Sequence, residues 1–277
     1  MTTQFKDPVL DKIIEKIYKE RNLDFSQYRE AILGRRVMTR VRLAKLDNFE
    51  QYLRFLDKHP EEMDKLMDAM TINVTEFFRD EYVFDAIEKK VFPELFGRKK
   101  KLNSNIIRIW SCACSSGEEP YSVLMLIAEF LGARLADYNL KIFATDIDSR
   151  SLSNAREGVY EEAQFRKLSE ERKKILFKYF YDMGNSRLWI REEWPAFIDF
   201  KYHDAISDAP LDSIDMVLCR NLFIYFGRDL QNKVLNNFYK SLRKDGFLVL
   251  GNVESIIGDM ADSFISYDQK SRIYVKR

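Results

Sequence analysis

The chain has 277 residues, 46% hydrophobic and 32% charged, which fits a folded globular protein of one large or two moderate domains and excludes a disordered one. Its 45 Lys and Arg against 44 Asp and Glu leave a formal charge of +1, so bulk electrostatics exclude nucleic acid as an expected partner. No apolar run is long enough to span a bilayer, and Met1 to Lys6 is polar without a secretory core, so neither membrane insertion nor secretion is expected.

Three cysteines, an odd set, read as reduced thiols of a cytoplasmic protein. His59 and His203 stand far apart and lack cysteine pairs, so no metal is expected.

In chain order, the first third reads as helical. Leu10, Ile13, Ile14, Ile17 and Tyr18 recur at helical spacing and give one apolar face. After the break at Leu23-Asp24-Phe25-Ser26, a second helix is predicted over 27–43. A third covers 49–56 and ends before Pro60, and a fourth carries Met63, Leu66, Met67 and Met70. No strand signal precedes Ile106, and the polar run 99–105 reads as an exposed connection.

From there strands alternate with helices. Strands are predicted from Ile106, over 141–146, 197–202, 214–219 and 247–250, with an amphipathic helix over 230–242 stopped by Asp245-Gly246. Segments 264–267 and 272–276 form a hairpin around Gln269-Lys270-Ser271. The alternation predicts an α/β fold, with a mostly parallel sheet and an antiparallel edge. Residues 158–193 interrupt it and read as an inserted helix plus a small strand pair.

The most informative run is 106–122, Ile-Ile-Arg-Ile-Trp-Ser-Cys-Ala-Cys-Ser-Ser-Gly-Glu-Glu-Pro-Tyr-Ser. It reads as a buried strand, a tight loop and the first turn of a helix, where Pro120 is tolerated and acids complement the helix dipole. Open α/β sheets bind nucleotide-like ligands at such strand ends. A phosphate loop would have more glycines and no carboxylates. This loop suits a ligand with hydroxyls, an amine and a positive centre, a description that S-adenosylmethionine fits. Ser116 and Glu119 also have capping-box spacing, which leaves a purely structural role open for Glu119.

Four runs together carry a family resemblance: Thr71-Ile72-Asn73-Val74-Thr75-Glu76-Phe77-Phe78-Arg79, the loop Ala113 to Ser122, Ala144-Thr145-Asp146-Ile147-Asp148, and Cys219-Arg220-Asn221-Leu222-Phe223-Ile224-Tyr225-Phe226. Along its whole length the chain resembles the CheR family of chemotaxis receptor methyltransferases. The resemblance implies a class I, Rossmann-like methyltransferase domain with an antiparallel C-terminal hairpin, an N-terminal helical domain and a small inserted β-subdomain. The boundaries are expected at 1–88, 89–277 and 158–193.

The same resemblance implies methyl transfer from S-adenosyl-L-methionine, leaving S-adenosyl-L-homocysteine, to glutamates of a methyl-accepting chemotaxis receptor's cytoplasmic domain. Asp146 is expected to bind the ribose and Glu119 the methionine end. Asn73, Thr75 and Arg79 come from a covering segment, and Asp204 and Ala205 lie near the adenine. Arg220 and Asn221 flank the reacting centre. Arg79 and Tyr225 are the expected catalytic residues, the tyrosine orienting the acceptor carboxylate. Asp148 is the better helix cap of its pair with Asp146.

Residues 252–255, Asn-Val-Glu-Ser, depart from the family's Gly-His-Ser-Glu-like run, and no polar role is expected there. The turn 182–186 is short for docking a receptor's C-terminal peptide. Arg29, Arg36 and Arg40 share one helical face and are expected to dock the acidic receptor. The chain is expected to act as a monomer. Two alternatives stay open, a non-catalytic cofactor-binding scaffold and a methyltransferase for another protein or a small acid.

Overall fold

The computed structural model describes residues 7–71 and 75–277. Their contacts form two units, Met1–Ile72 with Tyr225–Gln231, and Asn73–Ile224 with Asn232–Arg277.

The first unit is built on helices α1 (Pro8–Arg21), α2 (Glu30–Leu43), α3 (Phe49–Lys58) and α4 (Pro60–Met70). Asp7 caps α1 by accepting from the Val9 and Leu10 amides, and Asn48 caps α3 through the Gln51 amide at 2.9 Å. Leu10, Ile13 and Ile17 of α1, Leu33, Val37 and Val41 of α2, Tyr52 and Leu56 of α3, and Met63 and Leu66 of α4 are buried. Phe226 is buried with them and stacks edge-on to Tyr28. The second helix begins at Glu30, not 27, because residues 27–29 bond instead to 225–227: Arg29 N donates to Tyr225 O and Gly227 N to Gln27 O.

The second unit opens with α5 (Glu81–Ala86), a π-helical turn Ile87–Val91 and α6 (Phe92–Lys101). Phe84, Ile87, Val91 and Phe92 join the core that includes Ile107, Ile109 and Leu126. These helices therefore belong with the sheet, and the helical unit ends before them, not at 88 as expected.

Then come β1 (Ile106–Cys112), α7 (Glu118–Leu131), β2 (Asn139–Asp146), α8 (Ser149–Glu157), β3 (Val159–Glu161), α9 (Glu170–Tyr179), β4 (Phe180–Gly184), β5 (Arg187–Ile190), β6 (Ile198–Tyr202), β7 (Ile214–Cys219), α10 (Arg228–Ser241), β8 (Leu242–Leu250), β9 (Phe264–Asp268) and β10 (Ile273–Lys276). The main sheet runs β6-β2-β1-β7-β8-β10-β9. Its first five strands are parallel, and β10 is antiparallel to both β8 and β9. The chain steps outward from β1 through β2 to β6, then resumes on the other side at β7, so the order reverses at β1/β7, where ligands bind in open α/β sheets. Helix α7 is buried on nearly every side, as expected of a helix apolar all round.

A second sheet, β3-β5-β4, lies within the insertion. Its hairpin turns on Asn185 and Ser186, both left-handed at φ 53° and 58°, the geometry of a tight two-residue turn. Asp245-Gly246 does not stop a helix. It lies inside β8, with Asp245 at φ 60° and a register shift opposite Ile214 and Met216; a bulge uses the same residues as a helix stop.

Candidate active site

The β1–α7 loop is left-handed at alternate residues: Ala113 at φ 58°, Ser115 at 49° and Gly117 at 94°. Only the third is glycine, and a Cβ there would stand 3.0 Å from Ala155 and 3.1 Å from the Tyr160 hydroxyl. Such backbone costs roughly 1–2 kcal/mol at each non-glycine residue, and this kind of strain gathers at functional sites.

Gly117 is the cap of α7, and the Ser116–Glu119 capping box does not form. Ser116 turns its hydroxyl to Glu118, while Glu119 accepts from Ser111 Oγ at 2.8 Å and faces Arg220 Nη1 at 3.6 Å. Glu118, fully buried, also takes hydrogen bonds from Gln164 Nε2 and Thr75.

Asp146 ends β2 and is buried; its carboxylate accepts the Ser115 amide at 2.8 Å and the Asp148 amide at 2.9 Å. Asp148 caps α8 through Arg150 N and Ser151 N. Arg220 follows β7 with its side chain 2% exposed, donating to Arg79 O and Asp80 Oδ2 at 2.8 and 2.7 Å. Asn221 follows at φ 64°, and its buried Oδ1 has no partner among the described residues.

Asp204 and Ala205 follow β6. Both Asp204 carboxylate oxygens are engaged inside their own turn, by Ile206 N and Ser207 Oγ, and Ala205 O accepts from Asn237. His203 packs edge-on to Trp110.

The second unit thus assembles Thr75, Arg79, Glu119, Asp146, Arg220 and Asn221, with Asp204 and Ala205 on a neighbouring strand end. Asn73 lies outside the described residues. Tyr225 falls with the helical unit, in a short 3₁₀ turn with the Arg36 guanidinium 5.4 Å from its ring centre.

The docking face needs correction. Arg36 donates to Ala69 O and Met70 O at the end of α4, and Arg40 pairs with buried Glu62, which also takes the Tyr52 hydroxyl. Neither offers a free charge. Arg35 and Arg42 of α2 are exposed; Arg29, which precedes the helix, is exposed too, with its Nε donating to Phe226 O at 3.1 Å.

Sequence reasoning also missed Glu254. Far from apolar in role, it is 4% exposed and accepts amides from Gly251, Asn221 and Phe223 at 2.6, 3.1 and 2.7 Å. The signal that could have found it is the run 251–254, Gly-Asn-Val-Glu, which keeps the first and last residues of the family's Gly-His-Ser-Glu-like run one residue earlier than expected.

The strand order, the carboxylates at adjoining strand ends and the arginines beside them define a class I methyltransferase that uses S-adenosyl-L-methionine. The chain belongs to the CheR methyltransferase family: its all-alpha domain matches residues 8–71 and its SAM binding domain residues 73–273. Relatives include the chemotaxis protein methyltransferase of Borreliella burgdorferi, 30% identical over 90% of this chain and 89% of that one. That of Listeria monocytogenes is 32% identical over 87% of each. Chemotaxis protein methyltransferase 1 of Vibrio cholerae is 38% identical over 72% and 70%.

The residues fit the cofactor. Carboxylates can accept from hydroxyls and an ammonium group, and two arginines complement a carboxylate, as does the Asn221 Oδ1, without a partner among the described residues, for a donor. Among the described residues no helix is long and apolar enough to cross a membrane.

Burial pushes the carboxyls of Glu118, Glu119, Asp146 and Glu254 above the ordinary range, against the hydrogen bonds they accept. Groups whose folded pKa is raised give stability that is fully present below the unfolded value and lost as pH rises through the folded one. The protein without cofactor is therefore expected to melt at higher temperature as pH falls from neutrality toward the usual carboxylate range. A ligand whose hydroxyls or ammonium donated to Glu119 and Asp146 would favour their charged forms, so the same titration with S-adenosylhomocysteine should then show a smaller rise in Tm. A flat or opposite trend in the unliganded protein would refute the assignment.

Proposed function

We propose that this chain methylates glutamate side chains of a methyl-accepting chemotaxis receptor's cytoplasmic domain, acting as a cytoplasmic monomer. The observation that carries this reading is the Glu119–Arg220 centre with Arg79 beside it, in a chain of the CheR family. It has the charges to hold an amino-acid cofactor, and the transfer asks for no general base, because a glutamate is already ionised near neutral pH.

The bound cofactor supplies a methyl group on a sulfonium, open to in-line displacement. The protein's share is alignment, which supplies on the order of 7–11 kcal/mol in well-oriented reactions. In this reading Asp146 accepts the ribose hydroxyls and Glu119 the ammonium. Arg79, Arg220 and Asn221 hold the methionine end, with Asn73 and Thr75 from the covering segment. Asp204 and Ala205 border the adenine. The Tyr225 hydroxyl orients the acceptor carboxylate.

Transfer of labelled methyl to a receptor cytoplasmic fragment, giving a base-labile product, tests the reading. A base-stable product, or none, would exclude it in favour of another acceptor or a non-catalytic scaffold. In the same assay Tyr225→Phe should lower kcat about tenfold or more with cofactor affinity intact; full activity would reduce the tyrosine to packing.

Docking is assigned to the exposed charges Arg29, Arg35 and Arg42. The double variant Arg35→Glu, Arg42→Glu should raise KM for receptor, and salt should weaken the parent's interaction by screening. A receptor KM indifferent to both would remove α2 as the docking face. The two-residue turn at Asn185-Ser186 supports a reading without a receptor-peptide tether.

A further inference from the structure

We propose that Glu254 is a positioning residue for the transfer, holding Asn221, and through it Arg220, in the conformation that meets the cofactor. This rests on the reading of Arg220 and Asn221 as cofactor residues.

Glu254 lies beyond β8, yet its carboxylate binds backbone on two strand ends. It takes the Gly251 amide after β8 and the Asn221 and Phe223 amides after β7, and Ile224's backbone bonds to it as well. These contacts span the residues on which the chain turns away from β7. Asn221 is left-handed at φ 64°, a conformation an L-residue keeps only where its surroundings over-determine it. The carboxylate on its amide supplies that constraint.

Gly251 completes the fit, because a Cβ there would come 2.6 Å from Glu254 Oε2 and 2.7 Å from Asn221 N. The two loops touch with no room for a side chain. One residue earlier, the Arg220 guanidinium spans Asp80, the Arg79 carbonyl and Glu119, so a rotation at Asn221 would disturb both Arg79 and Glu119. Replacing the carboxylate strands several buried donors at once, and each unpaired donor is costly.

The experiment compares four full-length variants: Glu254→Gln, Gly251→Ala, Asn221→Ala and Asp215→Asn. Asp215 is the control, a buried carboxylate at the start of β7 that holds Lys99 at 2.6 Å and the Arg108 amide. Calorimetry with S-adenosylhomocysteine measures affinity without reference to the acceptor, and thermal melting measures stability. Glu254→Gln and Gly251→Ala are expected to bind about tenfold or more weakly while folded at the assay temperature, and Asp215→Asn to lose Tm with unchanged affinity.

If Glu254→Gln and Gly251→Ala keep the parent affinity while Asn221→Ala loses it, the positioning role is overturned. If Asn221→Ala also keeps it, the reading of the cofactor residues falls instead. Should Glu254→Gln not fold, Glu254→Asp takes its place in the comparison, since it keeps the charge and draws the oxygens back by one methylene without touching Asn221.

Discussion

Phe77→Ala is expected to destabilise the protein by about 3–5 kcal/mol, the range for deleting a buried aromatic ring. Phe77 is fully buried, with ring centres of Tyr160, Phe165 and Phe180 at 4.8, 5.0 and 5.7 Å. All three neighbours belong to the segment between α8 and β5, so the cavity left by alanine opens where the insertion meets the segment leading to Arg79.

Nearby bonds limit its collapse. Tyr160 donates to Ser116 O at 2.7 Å, and Arg172, 3% exposed, pairs with Glu88 and lies over the Phe78 ring at 5.1 Å. Denaturant unfolding of the full chain measures the loss. A cost below about 1 kcal/mol would mean the pocket closes freely and does not fasten the insertion.

Asp146→Ala is expected to weaken cofactor binding by roughly 1–3 kcal/mol, the scale for removing a charged hydrogen-bond partner. Two effects contribute. The ribose loses its acceptor, and the Ser115 and Asp148 amides lose theirs, which frees the strained residue 115 to relax. Asp146→Asn keeps one acceptor oxygen and should fall between parent and alanine. Calorimetry with S-adenosylhomocysteine decides; unchanged affinity in Asp146→Ala would end the ribose assignment.

The parallel strands were legible because each is a short apolar run ending in a turn, and 141–146 closes on Asp146, the acid proposed for the ribose. The backbone of the β1–α7 loop was not. Ala113 and Ser115 take positive φ where glycine normally announces it, so the loop's shape is hidden in residues that do not advertise it. The boundary expected at 88 is displaced to the end of the fourth helix, because the sequence before Ile106 shows no strand and does not reveal that the helices of 81–101 pack with the sheet.

Arg36 and Arg40 were read from spacing alone, which puts them on one face. Whether that face meets solvent or α4 depends on the carbonyls of Ala69 and Met70 and on Glu62. Conversely, Glu119 is visible in the sequence as an acid in the loop, while its neighbour Arg220 is brought to it only by the strand order.

The helical unit is not one continuous stretch of sequence. Phe226, 1% exposed, is part of its interior, and residues 225–227 supply backbone partners to 27–29. On a ribosome the four helices emerge first, and domains generally fold as they are made. This one stays unfinished until the chain has been synthesised through Gly227, with Tyr28 still lacking its aromatic neighbour Phe226. A fragment cut at the apparent boundary would stay in that unfinished state, so its biosynthesis runs in one direction and its completion in the other.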